Sequence, residues 1–272
     1  MPWVMTDGRS LSSKRQRDMN LTEYIREKRK SKEILFMAHL VCGYPDFEGN
    51  KEIIRIMVEA GVDLIELQIP FSEPIADGPV ILKANQISLQ QGTRVRDCLS
   101  LMEEASSRYP IPFLFMTYYN ILFSRGVDTF VRETRQTGGS GLIVPDIPPE
   151  EGDEYLKACH NHQISPILLM TPVTSPERLR RIAGAGNGFF YCVARKGVTG
   201  AKTHLSQETI EFIHRCRQAT DLPLAIGLGI SSREDFEYLA GKVDIAVIGS
   251  AILRTIEQGG YQALRSFLEK LQ

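Results

Sequence analysis

The sequence has 272 residues, a formal net charge of -1 and 43% apolar residues. That is enough chain to bury one large core, and the balanced charge gives no reason to expect nucleic acid or an acidic membrane surface as a partner. No apolar run reaches the ~20 residues of a membrane-spanning helix, and no signal-peptide pattern opens the chain. The five cysteines are scattered and form no CxxC pair, which is typical of a reducing compartment. We therefore expect a cytoplasmic protein without a metal site.

Residues 1–20 are polar and basic, and they predict a flexible tail ahead of a single folded domain at 21–272. A charged helix is predicted at 21–30. Short apolar, strand-like runs then recur along the chain. These eight runs are 34–41, 62–69, 112–117, 141–144, 164–170, 188–193, 222–226 and 243–248.

Amphipathic helical patterns separate the strand-like runs, and two of them begin with clear capping signals. Ser175 is followed by Pro and Glu, and Ser231 precedes Glu234 with capping-box spacing. Eight apolar strands alternating with helices predict a parallel sheet of the α/β class. The number eight favours closure into a single (β/α)8 TIM barrel with an extra N-terminal helix. The alternative, an open doubly wound sheet, is expected to carry a GxGxxG turn, and the sequence has none.

The loop after the second predicted strand, residues 70–78 and called loop 2 below, is the first candidate for chemistry. Alternation along the strand puts Glu66 and Gln68 on the side opposite Ile65 and Leu67. The apolar side suits the helix layer, so Glu66 is predicted to face the barrel mouth, as a reactive acid or as the partner of a buried cation or tyrosine hydroxyl. Asp77 is a second reactive acid or the N-cap of the next helix.

Glycine-rich loops follow the last three predicted strands, at 195–201, 227–232 and 249–251. Glycine lets backbone N–H groups converge on an anion, and barrel enzymes often bind phosphate at the last two loops. A phosphorylated substrate is therefore predicted. Asp146, after the fourth strand, is predicted to bond loop 2 or to cap its own turn. An apolar slot for a flat organic group is predicted between the acids and the glycines, formed by Met116, Tyr118, Ile143, Leu169 and Tyr191.

These motifs together resemble the tryptophan synthase alpha subunit family. They are IELQIPFSEPIADGP at 65–79, VPDIP at 144–148, RKGVTG at 195–200, GLGIS at 227–231 and IGSA at 248–251. The resemblance implies retro-aldol cleavage of indole-3-glycerol phosphate to indole and glyceraldehyde 3-phosphate. It also implies a pyridoxal-phosphate-dependent beta subunit as partner in an alpha–beta–beta–alpha assembly, and no cofactor in this subunit.

The resemblance also assigns roles to individual residues. Glu66 corresponds to the catalytic acid–base, and Asp77 corresponds to the acceptor of the indole N–H. The predicted substrate- and phosphate-binding positions surround these acids. They are Tyr118, Tyr191, Thr199, Gly200, Gly227, Gly229, Gly249 and Ser250.

Four residues depart from the family pattern. Gln68 replaces a common glycine and is expected to bond Glu66 or to crowd the substrate, and Glu73 replaces an aspartate that faces the beta subunit. His39 lies where the family has an apolar or aromatic side chain, and a satisfied core histidine is its simplest interpretation. Leu228 replaces a common aromatic residue.

Two other functions stay open on the sequence. One is a different phosphate-sugar barrel enzyme, although a Schiff-base aldolase needs a lysine that the strand-like runs lack. The other is a regulatory subunit that binds the ligand and turns over poorly.

Overall fold

A computed structural model describes residues 19–193, 207–227 and 229–271. The predicted tail, up to residue 18, and the predicted site residues Thr199 and Gly200 lie outside the described residues, as does Leu228. No helix in the described ranges is long and apolar enough to cross a membrane.

Nine parallel strands form one sheet. They are β1 (Leu35–Val41), β2 (Leu64–Gln68), β3 (Phe113–Met116), β4 (Gly141–Ile143), β5 (Ser165–Ile167), β6 (Leu169–Met170), β7 (Phe190–Val193), β8 (Leu224–Gly227) and β9 (Ile245–Ile248). The order across the sheet is β5-β4-β3-β2-β1-β9-β8-β7-β6. Each strand lies within three residues of a predicted run, so the predicted positions are confirmed.

The predicted eight-strand barrel is confirmed, with one strand divided into two segments. The run at 164–170 forms β5 and β6, which are separated only by Leu168. β5 pairs with β4, whereas β6 pairs with β7. The backbone N–H of Tyr191 also donates to the carbonyl of Leu168, at 3.0 Å. The two ends of the strand order therefore belong to one continuous stretch of chain, and this stretch closes the barrel.

Helices surround the barrel between the strands. They are α1 (Leu21–Arg29), α2 (Phe47–Glu59), α3 (Pro79–Gln90), α4 (Val95–Arg108), α5 (Tyr119–Arg125), α6 (Val127–Gln136), α7 (Asp153–Asn161), α8 (Pro176–Ala185), α9 (Gln207–Ala219), α10 (Arg233–Leu239) and α11 (Ser250–Leu271). The predicted cap of α8 is confirmed, because the Ser175 side chain accepts from the Arg178 backbone. The predicted cap of α10 is wrong by one residue: the capping box is formed by Ser232 and Asp235, so this helix begins one position later.

Two layers of apolar packing follow from the alternation of side chains along the strands. Leu64 of β2 belongs to the cluster inside the barrel, whereas Ile65, Leu67 and Ile69 belong to the cluster under the helices. The predicted sidedness of this strand is therefore confirmed. It places Glu66, which shares a side with Leu64, inside the barrel.

The predicted N-terminal helix α1 is also present and covers one end of the barrel. Its residues Leu21, Tyr24 and Ile25 join the interior cluster. The Tyr24 hydroxyl donates to the backbone carbonyl of Asp63, just before β2, at 3.1 Å. Since Asp63 precedes the strand, α1 closes the N-terminal end of the barrel and leaves the C-terminal end for a site.

Candidate active site

Glu66 is buried at the centre of β2, and its charged partner is a histidine on the neighbouring strand. Its carboxylate Oε1 lies 3.1 Å from Nδ1 of His39, and both side chains are less than 10% exposed. The contact follows from strand register, because His39 of β1 stands directly beside Glu66. The structure is compatible with both predicted roles of Glu66. It has a buried titratable partner, as a paired acid would, and it lies in the barrel mouth, as a reactive acid would.

The second carboxylate oxygen of Glu66 is not hydrogen-bonded to His39. Oε2 is buried and has no hydrogen-bond partner among the described residues. A buried polar atom without a partner costs about 1–3 kcal/mol, and a catalytic role is one of the reasons for which such an atom is retained. Oε2 is thus the oxygen of Glu66 that no described side chain or backbone group engages in a hydrogen bond.

Asp77 is positioned by one side chain from β2 and one from the turn after β3. Its Oδ2 accepts from the Gln68 amide at 2.6 Å and from the Tyr118 hydroxyl at 3.3 Å. The alternative that Asp77 caps the next helix is wrong, because Gly78 is the N-cap of α3. The expectation that Gln68 bonds Glu66 is not met either, since the Gln68 amide reaches across to Asp77 in loop 2.

The pKa values of His39 and Asp77 are shifted by burial and by the charges around them. Burial alone lowers the pKa of His39, but the charge and contact of Glu66 and the charge of Asp77 outweigh it, so the pKa is raised above the ordinary 6.5. Gln68 favours the protonated imidazole as well. Burial raises the pKa of Asp77, against the opposing effects of Gln68, His39 and Tyr118. Two carboxylates and one imidazole therefore form a single electrostatic unit.

Loop 2 is fixed by two further contacts. The buried Asn85 of α3 accepts from the backbone N–H of Phe71 at 3.0 Å, and the Tyr118 hydroxyl accepts from the backbone N–H of Ala76 at 3.1 Å. The Tyr118 ring also stacks on Phe71, with ring centroids 5.0 Å apart. Sequence analysis did not find Asn85, although a polar residue on the buried face of an amphipathic helix was a signal for it.

Asp146 has a different role from both that were predicted. It accepts from the backbone N–H of Tyr119, at 2.9 Å and 3.1 Å to its two oxygens. This N–H is at the start of α5, where helical N–H groups have no partner within the helix. Asp146 therefore stabilises the turn after β3, which carries Tyr118 into the site.

The predicted phosphate-binding glycines lie on the neighbouring strands β8 and β9. Gly227 ends β8, and Gly249 precedes α11, whose first residue is Ser250. The carbonyl of Gly249 accepts the first helical bond, from Leu253 at 3.1 Å. The N-terminus of α11 therefore points its free N–H groups and its positive dipole at this end of the barrel. Gly229, in the loop after β8, has a φ of +66°, a value that favours glycine.

Side chains also approach two of these glycines closely. A Cβ at Gly227 would lie 2.8 Å from the hydroxyl of Tyr191, and one at Gly249 would lie 3.1 Å from the His39 ring. Burial raises the pKa of Tyr191, and the negative charges of Glu66 and Asp77 raise it further. Tyr191 thus stands between the acids and the glycine loops.

The five residues of the predicted apolar slot do come together. Met116, Tyr118 and Ile143 are buried members of the interior cluster, and Leu169 and Tyr191 pack against it. Phe71 of loop 2 joins them, which the sequence did not predict. Their grouping is confirmed, and their use as a binding slot stays a prediction.

Within the part of the chain that the structure describes, no three His, Cys, Asp or Glu side chains are grouped so that they could hold a metal ion. All five cysteines are buried free thiols. The roles of the individual site residues, and the absence of a cofactor, stay predictions.

Comparison with known proteins identifies relatives for the whole barrel. Residues 25–272 match the family model of the tryptophan synthase alpha chain. The tryptophan synthase alpha chain of Desulforapulum autotrophicum is 53% identical over 251 residues, which cover 92% of this chain and 99% of the relative. The alpha chain of Synechocystis is 38% identical and covers 90% of this chain and 94% of its own.

Solved structures agree with the sequence relatives. A chain of tryptophan synthase from Mycobacterium tuberculosis superposes with a TM-score of 0.85 at 35% identity, over 92% of this chain and 96% of its own. Tryptophan synthase subunit alpha from Legionella pneumophila gives a TM-score of 0.84 at 28% identity, over 93% and 97% of the two chains. Sequence, strand topology and the order of the loop motifs lead to one conclusion: this chain belongs to the tryptophan synthase alpha chain family.

Proposed function

We propose that this chain cleaves indole-3-glycerol phosphate with Glu66 as its acid–base and Asp77 as the partner of the indole N–H. The cleavage, to indole and glyceraldehyde 3-phosphate, follows from membership of a family of carbon–carbon lyases in tryptophan biosynthesis. One observation supports the assignment of Glu66 above the rest: it has one oxygen held by His39 and the other buried without a partner.

In the proposed reaction, Glu66 gives up one proton and takes up another, so it ends in the protonation state in which it began. The protonated carboxyl first gives its proton to C3 of the indole, and positive charge develops on the ring nitrogen. The carboxylate then takes the proton from the hydroxyl on the carbon attached to C3. The bond between that carbon and C3 breaks, and its electron pair returns to the ring. One carboxyl thus serves in turn as acid and base.

Asp77 stabilises the positive ring in this scheme. A carboxylate that accepts from the ring N–H favours the charge that appears during the reaction, and a buried carboxylate does so more strongly than an exposed one. Gln68 and Tyr118 hold the Asp77 oxygen from two sides. We therefore assign them the task of fixing its direction.

The glycine loops complete the proposed substrate site. Gly227, Gly229, Gly249 and Ser250 bind the phosphate with backbone N–H groups, the last two at the N-terminus of α11. Tyr191 lines the same site. Thr199 and Gly200 are assigned to the same site by family resemblance alone. No metal or cofactor takes part in this scheme, and pyridoxal phosphate belongs to the beta subunit.

The partner in this proposal is a tryptophan synthase beta subunit. A similar chain occurs in the tryptophan synthase complex from Pyrococcus furiosus, with a TM-score of 0.80 at 28% identity. Loop 2 offers Glu73 and Ile75 to such a partner, because both are exposed and the Ile75 side chain is 81% exposed. A cytoplasmic location is part of the same proposal.

The test is indole release from indole-3-glycerol phosphate by the wild type and by Glu66→Gln, with and without a beta subunit. We expect the substitution to lower kcat at least ~10²-fold, the usual scale for the loss of a positioned acid–base. Glu73→Gln is the matched control, since it removes an exposed acid from the same region, and we expect it to retain activity without the partner.

Near-normal turnover by Glu66→Gln would contradict the assignment of Glu66. Tight binding of indole-3-glycerol phosphate by the wild type without any turnover would instead favour a regulatory subunit.

A further inference from the structure

The site contains three buried polar atoms that lack a partner, and they belong to neighbouring side chains. They are Nε2 of His39, Oε2 of Glu66 and Oε1 of Gln68. The described residues have only two other atoms of this kind, on Tyr109 and Thr117. Buried polar atoms without a partner are rare, so three of them on neighbouring side chains indicate that these side chains have a common function.

Strand register brings these side chains together. His39 stands beside Glu66, and Gln68 stands two residues further along β2, beside Val41. His39 and Gln68 are almost completely buried, with 5% and 0% exposure. On its other side the His39 ring lies close to Gly249, where a Cβ would be 3.1 Å from the ring. The ring is thus held between β2 and β9.

Three hydrogen bonds would join Glu66, His39, Gln68 and Asp77 into one continuous row, and two of them are already present. His39 Nδ1 lies 3.1 Å from Glu66 Oε1, and Gln68 Nε2 donates to Asp77 Oδ2 at 2.6 Å. The remaining atoms, Nε2 of His39 and Oε1 of Gln68, are complementary when the imidazole is protonated on both nitrogens. Nε2–H is then a donor, and the amide oxygen can only accept.

We propose that doubly protonated His39, together with Gln68, joins Glu66 and Asp77 into one hydrogen-bonded row and acts as the positioning residue of the proposed acid–base. The inference rests on the proposed function for the roles of the two acids. His39 donates Nδ1–H to Glu66 and Nε2–H to the Gln68 oxygen. Glu66 Oε2 then remains free for the substrate.

The charges around His39 support its protonated form. Glu66 and Asp77 both face it, and the hydroxyls of Tyr118 and Tyr191 lie next to these acids. When both acids are ionised, before Glu66 takes up the proton for the reaction, one imidazolium thus compensates part of their charge in a buried site. The pKa of His39 is raised, so the row is complete below that pKa and is broken as pH rises through it.

The first experiment needs neither substrate nor activity. Protein labelled with 15N-histidine is titrated by NMR, and the signal of His39 is identified by its loss in His39→Gln. We expect this signal to titrate above 6.5, and we expect Gln68→Met to lower its pKa because the acceptor of Nε2–H is gone. Gln86→Met, at an exposed position of α3, is the matched control and should leave the titration unchanged. A His39 that titrates below 6.5, or one that does not respond to Gln68→Met, would overturn the inference.

The second experiment measures kcat and KM for indole release between pH 6 and 9.5. The wild type is expected to lose kcat as pH rises through the pKa found by NMR. His39→Gln should lower kcat about 10-fold or more, with KM changed less than about 3-fold, since a misplaced acid–base affects the reaction more than binding. In His39→Gln, kcat should no longer fall as pH rises through this range. In Gln68→Met, the fall of kcat should occur at lower pH than in the wild type.

These results separate the two proposals. If the wild type does not cleave indole-3-glycerol phosphate, the proposed function fails, whereas the NMR titration still tests the row. If the wild type cleaves it and His39→Gln keeps the wild-type pH profile, the row is wrong and the proposed function stands.

Discussion

Glu66 and Asp77 are both acids of the barrel mouth, but their surroundings differ. Glu66 is 3% exposed and projects from a rigid strand, whereas Asp77 is in a loop and is held by side chains. A group that must give and take a proton benefits from a fixed position and a free oxygen. A group that only stabilises charge needs a fixed direction, which Gln68 and Tyr118 provide.

At the residue scale, Asp77→Asn tests the proposed stabilisation of the indole ring. The amide keeps the size of the side chain and removes its negative charge, so we expect kcat/KM for indole release to fall about 10²–10³-fold, as when a preorganised electrostatic partner is lost. Steady-state kinetics at pH 7.5 provide the measurement. Tyr118→Phe is the control, because it removes a hydrogen bond but keeps the charge, and its effect should be clearly smaller. Equal losses in the two variants would argue for a purely structural Asp77.

Two residues of the site were predictable from sequence to different degrees. Glu66 was found because alternation along a strand depends only on neighbouring residues. His39 was interpreted as a satisfied core histidine, yet its Nε2 has no partner and its Nδ1 contacts Glu66. That pairing depends on which strands become neighbours and in which register, and neither is encoded within β1 itself.

At the element scale, loop 2 is a short irregular segment made rigid by contacts from two other elements. Asn85 of α3 and Tyr118 after β3 both bond its backbone, and the Phe71 ring packs on Tyr118. A loop that carries a reactive residue needs such support, because irregular backbone is otherwise among the first parts of a protein to open. Asp146 adds indirect support by holding the start of α5.

Asn85→Ala tests this support. The backbone N–H of Phe71 loses its acceptor, at a cost of about 1–3 kcal/mol, and we expect faster amide hydrogen exchange across residues 70–77 with a raised KM. Hydrogen exchange followed by mass spectrometry is the measurement. Asn120→Ala, at an exposed position of α5, is the matched control and should change neither quantity. Unchanged exchange in Asn85→Ala would show that Tyr118 alone holds the loop.

At the scale of the whole molecule, the two ends of the barrel have separate tasks. The N-terminal end is closed by α1, which buries Leu21, Tyr24 and Ile25 against the interior. The C-terminal end carries the acids, the apolar slot and the glycine loops. Stability and chemistry are therefore concentrated at opposite ends, as in other barrels of this type.

Ile25→Ala tests this separation. The Ile25 side chain is fully buried, so its truncation should lower the free energy of unfolding by about 2–5 kcal/mol. kcat for indole release at 25 °C should stay unchanged, because α1 is at the end opposite the site. Denaturant titration and steady-state kinetics measure the two effects. Ile75→Ala, on an exposed side chain, should change the stability by less than about 0.5 kcal/mol. A large loss of kcat in Ile25→Ala would mean that the two ends are coupled.

The sequence alone determined the barrel, its N-terminal helix and the positions of the acids and glycines, because these follow from short-range periodicity, turn chemistry and motifs that are contiguous in the chain. It did not determine that one strand is divided at Leu168, that α10 begins one residue late or that Asp146 serves α5. Only the closed barrel decided which side chains meet: His39 with Glu66, Gln68 with Asp77 and Asn85 with loop 2. Their contacts join residues that are distant in sequence, and such contacts depend on strand order and register.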